Sequence, residues 1–192
     1  MEYTLAIDNT PDSIPAGSGL LLVHPSTAET DRIDIEFLRS DDDPMLIIST
    51  RTTAREVEQK LEHYGVDQDR AVILDTLSAE RGYTRRQSDN VRYIPTPEDL
   101  DGIVEETRQF LTENDGNLRI SLDSITEMIY YADEEQTRAA VEEILELLDE
   151  HDAVGLFHIA RGVHDAAVVE EFSALFDGVV ELDEDDRITT TF

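Results

Sequence analysis

Residues 20–31 read Leu20-Leu21-Leu22-Val23-His24-Pro25-Ser26-Thr27-Ala28-Glu29-Thr30-Asp31, and this stretch decides the fold of the chain. Its first four residues are continuously apolar, as in a parallel strand that is covered on both faces. The residues that follow have the spacing of an amphipathic helix. A phosphate-binding loop at such a junction needs glycines, a lysine and a hydroxyl residue. This loop has neither glycine nor lysine, and it carries the carboxylates of Glu29 and Asp31.

Short apolar runs alternate with longer helix-period segments along the rest of the chain, which favours crossover units and a largely parallel sheet. The predicted strands are residues 19–23, 45–49, 71–75, 91–94, 118–122, 154–159, 178–182 and 187–191. The predicted helices are residues 29–38, 53–64, 97–112, 134–150 and 165–175. Thr96 is expected to cap the third helix and Gly65 to end the second. We expect one α/β domain over residues 1–192, with helices on both faces of the sheet and a C-terminal antiparallel hairpin.

The charge balance is strongly acidic. The chain has 45 Asp and Glu against 15 Lys and Arg, a net charge of −30, and Lys60 is its only lysine. Such a surface repels itself at low ionic strength, whereas in molar salt the Debye length falls to roughly 3 Å. This composition resembles that of proteins from salt-accumulating halophilic archaea. Most carboxylates therefore serve solvation, and two neighbouring acids are weak support for a catalytic site.

The composition also excludes several classes of protein and site. There is no cysteine, so disulfides, thiolate metal sites and cysteine nucleophiles are excluded. No apolar run approaches the ~18 residues of a membrane span, and the first residues lack the pattern of a signal peptide. No serine lies in a nucleophile elbow. We expect a cytoplasmic protein without membrane association.

Three stretches together resemble the RecA superfamily of P-loop ATPases, and most closely its KaiC-like branch. Residues 18–23 with 33–38 are similar to the family's first strand, phosphate loop and following helix. Residues 118–126 are similar to its Walker B strand. Residues 154–159 with 162–165 and 175–182 are similar to its last strands. The resemblance implies a RecA-like fold over roughly residues 17–182. It also implies that Asp123 corresponds to the Walker B aspartate.

The departures from the family pattern bear on activity. In the best alignment Thr30 stands in the Walker A lysine position, Asp31 in that of the following hydroxyl residue, and Glu29 replaces a glycine. The family's catalytic glutamate follows the second strand, where this chain reads Ser49-Thr50-Arg51-Thr52. We interpret His24, Glu29, Thr30 and Asp31 as a vestigial Walker A and Asp123 as a vestigial Walker B, without a cofactor. An alternative for Asp123 is a turn-capping role.

The resemblance and its departures favour a non-catalytic KaiC-like regulatory or adaptor protein, in signal transduction or transcription-linked regulation. Its partner would be another protein or a second copy of the chain, with salt-dependent association. One alternative is a nucleotide-binding sensor or an ATPase with an altered pocket. A second is a regulator associated with nucleic acid, although one basic loop supplies too few phosphate contacts for direct DNA binding.

Two further groups of residues are candidates for a functional site. His24, Asp123 and His158 end neighbouring strands in the family's order, so they could meet at the carboxyl edge of the sheet. They could bind a divalent metal, but no ligand-spacing motif supports one. We therefore expect no metal, and favour either three unrelated polar residues at strand ends or a hydrogen-bonded plug that fills the pocket. The basic cluster Arg81, Tyr83, Arg85 and Arg86 lies in a long connection. It is a candidate partner-binding surface, or an ion-pair patch against the protein's own acids.

Overall fold

The computed structural model describes residues 1–40, 42–83 and 88–192. In these residues the strands are β1 (Glu2–Thr4), β2 (Ser13–Pro15), β3 (Gly19–Pro25), β4 (Met45–Ser49), β5 (Ala71–Asp75), β6 (Val91–Tyr93), β7 (Arg119–Asp123), β8 (Val154–Arg161), β9 (Gly178–Leu182) and β10 (Ile188–Thr191). The helices are α1 (Asp31–Leu38), α2 (Ala54–Tyr64), α3 (Leu100–Glu113), α4 (Ile125–Tyr131), α5 (Glu134–Glu150) and α6 (Ala166–Ser173).

The central sheet has the strand order β10-β9-β3-β8-β7-β4-β5-β6. Every neighbouring pair in it is parallel except β9 and β10, which form the C-terminal antiparallel hairpin. The predicted α/β class, the mainly parallel sheet and the closing hairpin are therefore confirmed. Strand β8 lies between β3 and β7, so the strands that carry His24, His158 and Asp123 are neighbours, as expected.

Apolar side chains cover both faces of this sheet. On one face, residues of α3, α4, α5 and α6 pack against alternate positions of the central strands such as Leu21 and Phe157. On the other face, α1, α2 and the small sheet of β1 and β2 cover the intervening positions, such as Leu22 and Leu156. Among the described residues, no helix is long and apolar enough to cross a membrane.

Helix α2 begins and ends at sharply defined residues. Thr53 and Glu56 form a capping box, in which each side chain accepts a hydrogen bond from the other residue's backbone N–H. Gly65 ends the helix in the left-handed conformation, at φ 69°, as predicted. The predicted start of α3 is wrong: Asp99, not Thr96, is its N-cap and accepts a hydrogen bond from the N–H of Gly102.

Other differences from the predicted elements are local. Helix α1 begins at Asp31 rather than at residue 29, because residues 26 and 27 form a turn and residues 28–30 are irregular. The short strands β1 and β2 were not predicted, since three-residue strands give little alternation. Helix α4 was also missed, although Ser124 and Glu127 have the spacing of a helix start, and Ser124 does cap it.

Candidate functional site

Polar residues lie near the carboxyl ends of the central strands, on the face covered by α1 and α2. His24 and His158 continue the alternation of Leu22 and Leu156, so their rings lie on the α1 side of the sheet. Both histidines are buried, at 1% and 0% exposure. Asp123 ends the next strand, β7, with its side chain 15% exposed. This edge is where open α/β sheets bind their ligands.

The loop between β3 and α1 is short and contains no lysine or glycine. Strand β3 continues through His24 and Pro25, which pair with Ala160 and Arg161 of β8. The N–H of Ala28 then donates to the carbonyl of Pro25 at 3.0 Å, which closes a tight turn. Glu29 is exposed, whereas Thr30 is buried and precedes the first residue of α1.

Asp34 is the centre of a buried network beneath this loop. One carboxylate oxygen, Oδ1, accepts from the Oγ hydroxyl of Ser121 at 3.0 Å and lies 2.7 Å from Nε2 of His158. The other oxygen, Oδ2, accepts from Nζ of Lys60 at 3.1 Å. Burial alone would raise the pKa of Asp34, but His158 and Lys60 hold it well below its usual range. Asp34 is therefore a buried, ionised carboxylate with three partners.

Lys60 reaches this carboxylate from α2. Its side chain is 14% exposed, and Nζ also lies 3.6 Å from Oδ1 of Asp31, the first residue of α1. Burial would lower the pKa of Lys60, but Asp34 and Asp31 raise it. The only lysine of the chain thus ties α2 to the first turn of α1 and stays charged.

Asp123 is paired with Arg51, which follows β4. The guanidinium of Arg51 lies across both carboxylate oxygens, with Nε 2.9 Å from Oδ1 and NH2 3.0 Å from Oδ2. Only the second contact has the geometry of a hydrogen bond. Burial would lower the pKa of Arg51, but Asp123 raises it. In the resemblance to RecA-like ATPases, Arg51 lies in the segment where the family has its catalytic glutamate.

The backbone around Asp123 is also fixed. The hydroxyl of Thr50 donates to the Asp123 carbonyl at 2.9 Å, and the N–H of Ser124 donates to that hydroxyl at 2.6 Å. The peptide bond between Asp123 and Ser124 is cis. The side chain of Asp123 is held by Arg51, and it is Ser124 whose side chain caps the helix that follows.

The two histidines stand edge to face, with ring centroids 5.6 Å apart. Burial lowers the pKa of His24, and its hydrogen bond to Pro25 only partly opposes this. Burial would also lower the pKa of His158, but Asp34 and Asp123 raise it above its usual value. His158 Nδ1 lies 3.9 Å from Oδ1 of Asp123. The structure therefore brings the three predicted residues into one cluster.

The remaining predicted residues are dispersed. Arg81 and Tyr83 line a cleft of 560 Å³ with Arg55 and Tyr93. Tyr83 is 53% exposed. Arg85 and Arg86 lie outside the described residues. Another cleft, of 740 Å³, runs between α1 and the β9–β10 hairpin and includes Glu29. Neither cleft is lined by Asp123 or His158.

Sequence reasoning missed three members of the network: Asp34, Lys60 and Arg51. Two signals were present. Asp34 is an acid between Ile33 and Ile35, inside the buried part of a helix, and Lys60 is the only lysine of the chain. Neither signal identifies the partner, because that depends on how α1 and α2 are rotated against the sheet.

The sequence family follows from a match over the whole chain. A model described as "Family of unknown function (DUF7090)" covers residues 1–192. The chain belongs to DUF7090. No curated protein matches this DUF7090 chain.

Solved structures from Pyrococcus horikoshii share its fold. The KaiC-like protein PH0186 is 15% identical with a TM-score of 0.60, over 93% of this chain and 78% of its own. The uncharacterized protein PH0321, solved in complex with an unknown peptide, is 19% identical with a TM-score of 0.64, over 92% and 83%. PH0250 is 12% identical with a TM-score of 0.63, over 92% and 87%. At these identities the likeness establishes a RecA-like and KaiC-like fold.

Proposed function

We propose that this DUF7090 chain is a non-catalytic regulatory or adaptor protein on a KaiC-like fold, which acts through contacts with other proteins. The observation that carries the proposal is the pairing of charges at the carboxyl edge of the sheet. Asp123 is paired with the cation of Arg51 and Asp34 with that of Lys60, while Nε2 of His158 lies at hydrogen-bond distance from Asp34. The chain's own side chains thus occupy the groups that would otherwise be offered to a nucleotide and its magnesium ion.

The loop charges support the same proposal. A triphosphate at the start of a helix is held by backbone N–H groups and cations. Here the first turn of α1 carries Asp31 and Asp34, and the preceding loop carries Glu29. Lys60 is bound to two of these carboxylates and is mostly buried. A phosphate group would meet negative charge at this position, so we regard the loop as a vestigial Walker A.

The partner-binding part of the proposal rests on exposed arginine and tyrosine. Arg81 and Tyr83 are exposed beside a cleft, in a protein whose net charge is −30. These residue types are enriched in binding hot spots. PH0321 was solved in complex with an unknown peptide, so a similar fold has held a peptide ligand. We propose a protein partner or a second copy of the chain, bound in the cytoplasm of a halophile at high salt.

Thermal melting tests the nucleotide part of the proposal. A ligand at 100 times its Kd stabilises a protein by about 2.7 kcal/mol, which for a chain of this size is roughly 5–10 °C. We expect the melting temperature in molar KCl to be unchanged by millimolar ATP and Mg²⁺. A rise of several degrees that disappears in Asp123→Ala would overturn the proposal.

Sedimentation velocity tests the interaction surface. In molar KCl we expect self-association that weakens as salt is withdrawn, because screening of the net charge is then lost. Arg81→Ser combined with Tyr83→Ser should weaken this association. The matched control is Arg108→Ser, which changes an exposed arginine paired with Glu105 and Glu143. A monomer under all conditions, or equal effects of both variants, would exclude this surface as a self-association interface.

A further inference from the structure

Each histidine of the buried cluster has one ring nitrogen that makes a hydrogen bond. Nδ1 of His24 lies 2.8 Å from the carbonyl oxygen of Pro25, and Nε2 of His158 lies 2.7 Å from the carboxylate of Asp34. Both oxygens only accept, so each of these nitrogens carries the proton in the neutral ring. The opposite nitrogens, His24 Nε2 and His158 Nδ1, are then lone-pair acceptors. Within the described residues both are buried and neither has a hydrogen-bond partner.

This pattern is that of metal-binding histidines. Such a histidine donates its other ring N–H to a carboxylate or a backbone carbonyl, which fixes the tautomer and leaves one lone pair for the metal. His158 does so to Asp34, and His24 to Pro25. Two buried acceptors without hydrogen-bond partners favour an electron-pair acceptor at this position.

The distances suit a common ion. His158 Nδ1 is 3.9 Å from Asp123 Oδ1, and these two residues form, with Asp34, a cluster whose donor atoms lie within 4.8 Å of one another. His24 is not part of that cluster and adjoins it through its ring contact with His158. Metal–ligand bonds of about 2.1 Å in a tetrahedron separate the donor atoms by about 3.4 Å, and put the centroids of two bound imidazoles about 5 Å apart. The observed centroid separation is 5.6 Å. The site closes when the His24 ring brings its Nε2 towards the donor atoms of His158 and Asp123.

We propose that His24 Nε2, His158 Nδ1 and Asp123 Oδ1 form a binding site for a divalent transition-metal ion of the Zn²⁺ class. Two imidazoles and one carboxylate are a donor set that such ions prefer over Mg²⁺ or Ca²⁺. Asp34 then orients His158 from behind. The site is independent of the proposed absence of nucleotide binding, and either could fail alone.

Arg51 is the competing cation at this site. Its guanidinium occupies both oxygens of Asp123, but its side chain is 31% exposed and can move outwards. Glu127 lies close enough to Arg51 for their charges to interact, and offers it another carboxylate. Metal binding is therefore an exchange of one cation for another on Asp123. Substitution of Arg51 should therefore tighten metal binding at this site rather than weaken it.

The experiment is a Co²⁺ titration of the full chain at pH 8 in molar KCl, followed by visible absorption, with Zn²⁺ as competitor. Excess Mg²⁺ saturates the surface carboxylates, which prefer hard ions. We expect one Co²⁺ per chain with the bands of tetrahedral coordination, displaced by Zn²⁺. His24→Ala should weaken binding by roughly 100-fold, since it removes a ligand, and Arg51→Gln should tighten it about tenfold.

His63→Ala is the matched control, because His63 is an exposed histidine that contacts Tyr64. It should bind Co²⁺ like the unmodified chain. Melting curves recorded without metal check that each variant is folded. His158 is not substituted, because its side chain is fully buried. The proposal is overturned by the absence of tetrahedral bands, by equal affinity in His24→Ala and His63→Ala, or by weaker binding in Arg51→Gln.

Discussion

Replacing Asp34 by asparagine removes the negative charge at the centre of the buried network while keeping the shape of the side chain. The ammonium of Lys60, 14% exposed, then loses the charged partner that lies 3.1 Å away, and Asp31 at 3.6 Å is the carboxylate that remains of these two ion pairs. Removing one partner of a buried ion pair costs about 3–5 kcal/mol. The remaining ion pair between Lys60 and the half-exposed Asp31 offsets at most about 1 kcal/mol of this loss. We expect a loss of about 2–4 kcal/mol in the free energy of unfolding.

The assay is urea unfolding in molar KCl, with thermal melting as a second probe. The expected loss lowers the melting temperature by roughly 5–15 °C for a chain of this size. Asp31→Asn is the control and should cost less than about 1 kcal/mol. Adding Lys60→Met to Asp34→Asn should restore part of the loss, because no unpaired ammonium remains. Equal costs for Asp34→Asn and Asp31→Asn would refute the assignment of Asp34 as the centre of the network.

Three further predictions concern other properties of the chain. Because folding lowers the pKa of Asp34, its contribution to the free energy of unfolding is present above pH ~4 and is lost as the pH falls further. Melting temperatures measured from pH 6 to pH 3 should therefore fall more steeply in the unmodified chain than in Asp34→Asn. Arg119→Met should cost about 3–5 kcal/mol in urea unfolding, since the buried guanidinium binds Asp43 and two backbone carbonyls, whereas a cost near zero would contradict this. Retention on immobilised DNA in molar salt should be unchanged when Arg81 and the arginines at 85 and 86 become serine, and reduced retention would favour a nucleic-acid role.

The sheet could be predicted from the sequence because its signal is local. Residues 20–23 of β3 and 46–48 of β4 are continuously apolar, and short strands alternate with helix-period segments throughout. Strand neighbours came from the resemblance to the RecA-like order, which also placed His24, His158 and Asp123 on adjacent strands. Helix α4 was the main omission, since its seven residues form less than two turns of periodic pattern.

The pairing inside the site could not be predicted in the same way. Arg51 and Asp123 are 72 residues apart, and Asp34 and His158 are 124 apart. Such contacts depend on the rotation of α1 against the sheet and on the path of the chain after β4, which no local pattern specifies. In a chain with 45 acidic residues, the two carboxylates that matter are not distinguishable by residue type. Their contacts with Lys60, His158 and Arg51 distinguish them, and these contacts are a property of the fold.

We propose above all that the chain's own charges have replaced those of a nucleotide site, and calorimetry is the decisive measurement. ATP with Mg²⁺ is titrated into the protein in molar KCl, with Asp123→Ala as the comparison. We predict no heat beyond that of dilution in either protein. Binding at micromolar strength that is lost in Asp123→Ala would contradict the proposal, because Asp123 would then be holding a nucleotide-bound metal rather than Arg51.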